Sequence, residues 1–194
     1  MKTIKYDIRN GKVKKLLLTD QCLNQLIKYI QYTELIIEPD GFNCIVKYII
    51  GQQISDKARE TLWDKFKSKF TLIDPIHILN VDNSEIKSIG LSERKVNTIK
   101  RVALEIVSGN LNFNNYIYYT NEQIIEDLIK IKGIGCWTAE MYLIFSLGRE
   151  NVLSTSDGTI KRTIKWMYDL SELPTSQEIK KYFEKWKGYE TIVS

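Results

Sequence analysis

The chain has 194 residues, 28 of them basic and 24 acidic, giving a formal net charge of +4; 43% are hydrophobic and 27% charged. That length and balance build one or two small domains with a real core and exclude a disordered chain. The mild positive charge is compatible with a nucleic-acid partner without requiring one.

Few prolines and long stretches of 3.6-residue periodicity predict an all-α protein. Met1-Lys2-Thr3-Ile4-Lys5 has no apolar signal region, and no apolar run reaches membrane-spanning length. The expectation is therefore a cytoplasmic protein with no membrane partner. Residues 1–18 alternate basic and apolar side chains and read as an arm or short strand. Asp20 caps a helix running through Leu23, Leu26, Ile27 and Ile30. Pro39-Asp40-Gly41 marks a turn, after which Phe42, Ile45, Val46, Ile49 and Ile50 form a wide apolar stripe. A helix over roughly 55–69 carries Ala58, Leu62, Trp63 and Phe66 on one face. His77, the single histidine, lies in the apolar stretch Pro75-Ile76-His77-Ile78-Leu79, which reads as structural and excludes His-based triads and multi-His metal sites. Cys22, Cys44 and Cys136 make no CxxC pair and no metal spacing, and read as reduced thiols.

Ser84–Ile89 predicts a short helix stopped by Gly90. Ser92 caps a helix with Val96, Ile99, Val102, Ala103 and Ile106 at core spacing, closed by Gly109. Thr120 and Gln123 form a capping box ahead of inward-facing Ile124, Ile125, Leu128 and Ile131. The segment Thr138–Leu147 is apolar nearly all round and reads as a central helix. Further helices are predicted over 158–168 and from Ser176 to the C-terminus.

Two stretches carry chemistry. The first is Leu128-Ile129-Lys130-Ile131-Lys132-Gly133-Ile134-Gly135-Cys136-Trp137-Thr138-Ala139, which reads as a helix end, a tight Gly-x-Gly hairpin and a helix start. Gly133 and Gly135 permit a turn that side chains would obstruct, and the N–H groups opening the next helix form a phosphate site. Lys130 and Lys132 add long-range attraction. A plain αα-hairpin with a glycine turn is the alternative. The second is Ser154-Thr155-Ser156-Asp157-Gly158-Thr159, a polar loop with one carboxylate ahead of a basic helix. Asp157 reads as a helix cap, a place that also favours a carboxylate anion.

The hairpin resembles the helix-hairpin-helix of the base-excision DNA glycosylase superfamily. Ile49-Ile50-Gly51-Gln52-Gln53-Ile54-Ser55 and Ile89-Gly90-Leu91-Ser92-Glu93-Arg94-Lys95 are similar to motifs of its 3-methyladenine DNA glycosylase II branch. The resemblance runs from about residue 20 to the end. It implies the compact form without an N-terminal β-domain: two helical subdomains flanking a cleft, residues 1–40 with 146–194 and residues 41–145. It implies a prokaryotic, nucleoid-associated monomer acting on double-stranded DNA that contains damaged bases.

Asp157 matches the family's catalytic residue, whose anion stabilises an oxocarbenium-like sugar and orients the attacking water. Ser156 stands where relatives often carry a second acid. Trp137 stands where bifunctional relatives carry a nucleophilic lysine, so no β-lyase activity is expected. The implied activity is monofunctional excision of flipped-out alkylated purines of the 3-methyladenine and 7-methylguanine class. Other lesions, and a non-catalytic DNA-binding role, stay open. Trp137, Met141 and Tyr189 match positions of the base pocket, whose aromatic walls suit an electron-deficient base; Gly188 and Glu190 depart from the C-terminal pattern. Gln53 matches the residue that plugs the gap left by the flipped base, and core packing or a helix-start hydrogen bond is the plainer role for each of these side chains. Gly133, Ile134, Gly135 and Thr138 complete the implied DNA contacts. The backbone carbonyls of Ile129, Ile131 and Ile134 match a monovalent-cation site (Na or K). No cofactor is required and no iron–sulfur cluster is expected.

Overall fold

Alternation at the start of the chain produces a strand: β1 (Lys2–Asp7) pairs antiparallel with β2 (Tyr32–Ile37), with Lys2 opposite Ile37 and Asp7 opposite Tyr32. The computed structural model describes residues 2–194, and Met1 lies outside the described residues. The expected all-helical fold thus carries one small ribbon. Its second strand follows the period-2 rule, with Leu35 and Ile37 buried and Ile36 exposed. Between the strands lie α1 (Gly11–Leu16) and α2 (Gln21–Ile30). Asp20 caps α2 as expected, its Oδ1 accepting from the N–H groups of Cys22 at 2.9 Å and Leu23 at 3.1 Å. Gln31, at φ +61°, ends α2 and turns the chain into β2.

After Ile37 the chain enters a second compact unit that ends at Leu147. It contains α3 (Gly41–Gly51), α4 (Asp56–Lys69), α5 (Pro75–Asn80), α6 (Asn83–Lys87), α7 (Glu93–Val107), α8 (Asn121–Leu128) and α9 (Cys136–Phe145). Asp40, Ser55, Asp74, Asp82, Ser92 and Thr120 each cap the helix they precede, and Thr120 with Gln123 forms the predicted capping box. α3 is the hub and packs against α4, α7 and α9. Ile45, Val46, Ile49 and Ile50 are fully buried there, as are Val96, Ile99 and Val102 of α7 and Ala139 and Leu143 of α9. His77 sits in α5 at an edge-on contact with Phe70 (centroids 6.4 Å apart), a packing role.

From Gly148 the chain rejoins the first unit, adding α10 (Gly158–Met167), α11 (Ser176–Phe183) and α12 (Glu190–Val193). The single helix expected from Ser176 onward is broken. A 3₁₀ turn occupies Glu184–Trp186, and Gly188 at φ +84° turns the backbone before α12. Ile160 and Ile164 of α10 bury against Leu16, Leu23, Ile179, Phe183 and Trp186, so the core of this unit joins both ends of the chain.

Asp20 ties this core together a second time. Its Oδ2 accepts from the Tyr168 hydroxyl at 2.6 Å and from Lys185 Nζ at 3.1 Å, and its side chain is only 5% exposed. Burial pushes the carboxyl pKa up, but the Tyr168 hydroxyl, the Leu23 N–H and the Lys185 ammonium outweigh it and hold the group below its usual value. A lowered folded-state pKa contributes stability above the ordinary carboxylate range and loses it as pH falls through the folded value. Asp20→Ala is therefore expected to cost about 2–3 kcal/mol in urea unfolding at pH 7. The difference from wild type should shrink as pH drops below the normal carboxylate range; a pH-independent difference would show that the anion is not what stabilises.

Candidate functional site

The hairpin is built by a left-handed glycine. α8 ends at Leu128, and the Ile131 N–H closes onto the Leu128 carbonyl at 3.2 Å. The Ile134 N–H then closes onto the Ile131 carbonyl at 3.0 Å, with Gly133 between them at φ +107°. A β-carbon on Gly133 would lie 2.1 Å from Thr98 Oγ1 of α7, so both the backbone angle and the close approach require glycine. α9 begins two residues earlier than the periodicity predicted, with Gly135 as its N-cap and no side chain capping its first turn. The N-terminus of a ten-residue helix is the kind of positive end that suits an anionic group.

The predicted hairpin contacts divide once their surroundings are known. Gly135 is exposed. Ile134 is 5% exposed and its N–H is spent inside the turn, so it holds the hairpin together and offers no donor to a phosphate. Thr138 is 1% exposed, and its hydroxyl accepts from Gln52 Nε2 at 3.0 Å, so its side chain braces the site from within. Lys130 pairs with Asp127 at 3.0 Å, an i,i+3 contact that offsets its charge. Lys132 is exposed and forms no ion pair among the described residues; its carbonyl accepts from Arg101 Nη1 of α7 at 3.1 Å.

Gln53 sits in the turn between α3 and α4, exposed and at φ +59°, a strained conformation for a residue with a β-carbon. Its neighbour Gln52, which sequence reasoning passed over, is the bridge. Gln52 Nε2 donates to the Gly133 carbonyl at 3.0 Å as well as to Thr138. Lys95, the last residue of the Gly-Leu-Ser-x-x-Lys motif, donates from Nζ to the Ile50 carbonyl at 2.7 Å. Burial of this ammonium, with Arg94 beside it in sequence, lowers its pKa.

Trp137 and Met141 lie one turn apart on α9. Trp137 is half-buried and meets Tyr48 edge-on at 6.0 Å; Tyr48 in turn stacks on Phe145 and carries Arg59 over its ring at 5.1 Å. Met141 is 8% exposed, so most of its side chain packs in the core. The turn at Gln53, the hairpin and Trp137 therefore come together in one unit.

Asp157 and Tyr189 belong to the other unit. Asp157 is the N-cap of α10, its Oδ1 accepting from the N–H groups of Thr159 at 2.6 Å and Ile160 at 3.2 Å. Its own N–H donates to the Ser154 carbonyl at 3.1 Å. The loop leading to it is braced by the chain terminus: the Thr191 hydroxyl donates to the Arg149 carbonyl at 2.8 Å and accepts the Val152 N–H at 3.1 Å. Tyr189 packs against the core of this unit, and its N–H donates to the Trp186 carbonyl at 2.8 Å. Glu190 opens α12. Ser156 is exposed beside Asp157.

Residues 46–188 match the HhH-GPD superfamily base excision DNA repair protein family. The chain belongs to that superfamily. DNA-3-methyladenine glycosylase 1 of Schizosaccharomyces pombe is 32% identical to this HhH-GPD chain over 144 residues, 72% of this chain and 63% of that protein. The alkylbase DNA glycosidase-like protein mag2 of the same organism is 30% identical, over 90% of this chain and 85% of that protein. Among solved structures, the S. pombe 3-methyladenine DNA glycosylase Mag1 in complex with abasic DNA superposes with a TM-score of 0.88 at 26% identity, covering 95% of this chain and 93% of that one. DNA-3-methyladenine glycosidase from Bacillus halodurans gives 0.79 at 32% identity, covering 97% and 88%.

For the cation that the HhH-GPD resemblance implies, the hairpin offers only main-chain oxygens. The described residues contain no cluster of three or more His, Cys, Asp or Glu able to hold a metal. The Ile131 carbonyl already accepts one N–H and keeps its second lone pair. Neutral, hard oxygen donors from Ile129, Ile131 and Ile134 fit a monovalent alkali cation better than a transition metal.

Gly133→Ala introduces the φ penalty and the clash with Thr98 together, and is expected to destabilise the protein by about 2–4 kcal/mol in chemical denaturation. Adding Thr98→Ala should restore only part of the loss, because the backbone angle stays unfavourable; full restoration would assign the whole cost to the clash.

Proposed function

We propose that this chain is a monofunctional DNA glycosylase that hydrolytically excises alkylated purines from double-stranded DNA, working as a monomer. The observation that carries the reading is Asp157, fixed at the head of α10 by two N–H donors on a single carboxylate oxygen, in a chain of this superfamily. In this scheme the first turn of α9 grips a backbone phosphate, with Lys132 adding charge. The hairpin carbonyls of Ile129, Ile131 and Ile134 are the groups that would hold a monovalent cation, which would supply further positive charge at the hairpin. The damaged nucleotide leaves the stack, Gln53 fills the gap, and the base enters a pocket of which Trp137 forms one wall. The N-glycosidic bond breaks with its electron pair leaving on the base. The Asp157 carboxylate stabilises the cationic sugar and orients a water, which adds to C1′ and gives up a proton to the surrounding solvent.

Trp137 at the hairpin supports the absence of a lyase step, because an indole forms no Schiff base with the sugar. Preference for 3-methyladenine rests on the names of the relatives, and its extension to 7-methylguanine on ring-face attraction for a positively charged base. Such bases are already good leaving groups, so the site needs little general-acid machinery.

The decisive measurement is single-turnover excision across a panel of lesion duplexes, with Asp157→Asn beside wild type. Wild type is expected to release alkylated purines, and the variant to be slower by roughly 10³-fold while binding an abasic-analogue duplex within about twofold of wild type. Equal rates for the two proteins would remove Asp157 from the chemistry. Lys132→Ala should also reduce the slope of log affinity against log salt by about 1, and Lys130→Ala by less, because Asp127 already offsets its charge.

A further inference from the structure

We infer that Gln52 is a positioning residue: its side-chain amide clamps the turn presenting Gln53 onto the hairpin, so that the two loops behave as one body. The inference rests on the preceding reading for its consequence in excision, and on geometry alone for the clamp.

The turn does not hold itself. Its own backbone bonds, Gln52 N–H to the Ile49 carbonyl and Ile54 N–H to the Gly51 carbonyl, are both long at 3.3 Å. Gln53 between them is left-handed at φ +59°. A residue in such a conformation persists only where its surroundings over-determine it. Here they do so from outside the turn. Both donors of the Gln52 amide are used, each at 3.0 Å, one on the Gly133 carbonyl and one on the Thr138 hydroxyl. Because the Gly133 carbonyl only accepts, the amide nitrogen must face it, which fixes the orientation of the side chain. From the opposite flank Lys95 anchors the Ile50 carbonyl at 2.7 Å.

The partners chosen are informative. Gly133 is the residue whose φ of +107° makes the hairpin, and Thr138 lies in the first turn of α9 behind it. The amide of Gln52 therefore reports to the turn whether the hairpin is formed. A phosphate seated on the hairpin would order the very groups that hold Gln53 in its strained conformation. Gln53 would then stand ready before the base leaves the stack, sparing the cost of ordering the plug during extrusion.

The test has two readouts on the full chain. Hydrogen exchange without DNA is measured for wild type, Gln52→Glu, which keeps the shape and removes both donors, and Thr138→Ser, which keeps the hydroxyl. Gln52→Glu should speed exchange about tenfold at both residues 51–55 and residues 132–138, while Thr138→Ser stays at wild-type values. Unchanged exchange, or a rise in one segment only, would overturn the clamp. Should Gln52→Glu fail to fold, Thr138→Val removes one acceptor and should give the same paired signature at smaller size.

The second readout is single-turnover excision of Gln52→Ala, Gln53→Ala and the double variant. Gln52→Ala should slow excision roughly ten- to a hundredfold and add nothing in the Gln53→Ala background. Additive losses would show that Gln52 acts otherwise than through its neighbour. A wild-type protein that excises nothing would count against the glycosylase reading, while the exchange result would still decide the clamp.

Discussion

A missing β-carbon organises the unit that carries the hairpin. Gly133 lies so close to Thr98 that any side chain would collide with it, and its left-handed backbone is what lets α8 end and α9 begin within seven residues. Once that turn is made, α7 supports it from beneath through Thr98 and Arg101, and Gln52 grips its carbonyl from the side. α7 also reaches the neighbouring turn, through Lys95. One helix thus supports two loops that sequence distance keeps far apart. Its inner face of Val96, Ile99 and Val102 is fully buried, so these polar contacts hang from a rigid element rather than from a loop.

Asp157 makes a different compromise. As an N-cap it accepts two N–H groups, and α10 behind it is fixed by Ile160 and Ile164 in the core. Capping and the proposed chemistry ask for the same thing, a carboxylate held at a helix N-terminus, so a single side chain would serve both. That coincidence also explains why the residue is inconspicuous in sequence: a lone Asp before Gly-Thr-Ile looks like any other cap.

What was legible in the sequence was local. Asp20, Ser92 and the Thr120–Gln123 box announced their helices because a cap and the N–H groups it satisfies are at most three residues apart. The apolar stripe of α3 announced the core for the same reason of period. β2 was missed because its six residues, Tyr32 to Ile37, are too short to separate from the end of the preceding helix by pattern alone. The C-terminal helix was drawn too long, although Gly188 stood in it as a visible break. The pairing of Lys130 with Asp127, three residues earlier, was legible and overlooked. Gln52 was beyond reach: its bonds span 81 and 86 residues, and nothing near it in the chain names Gly133 or Thr138. The bond to the Thr138 hydroxyl was hidden for the same reason, because the amide that donates it comes from far upstream.

The path of the chain carries a consequence for how the protein is made. The unit bearing the hairpin occupies residues 38–147 and is finished when its last helix leaves the ribosome. The other unit cannot close then, since Leu16 and Leu23 wait for Ile160, Ile164, Ile179, Phe183 and Trp186, and the loop before Asp157 waits for Thr191. During synthesis the unit bearing the hairpin is therefore complete while the loop that carries Asp157 still waits for its brace.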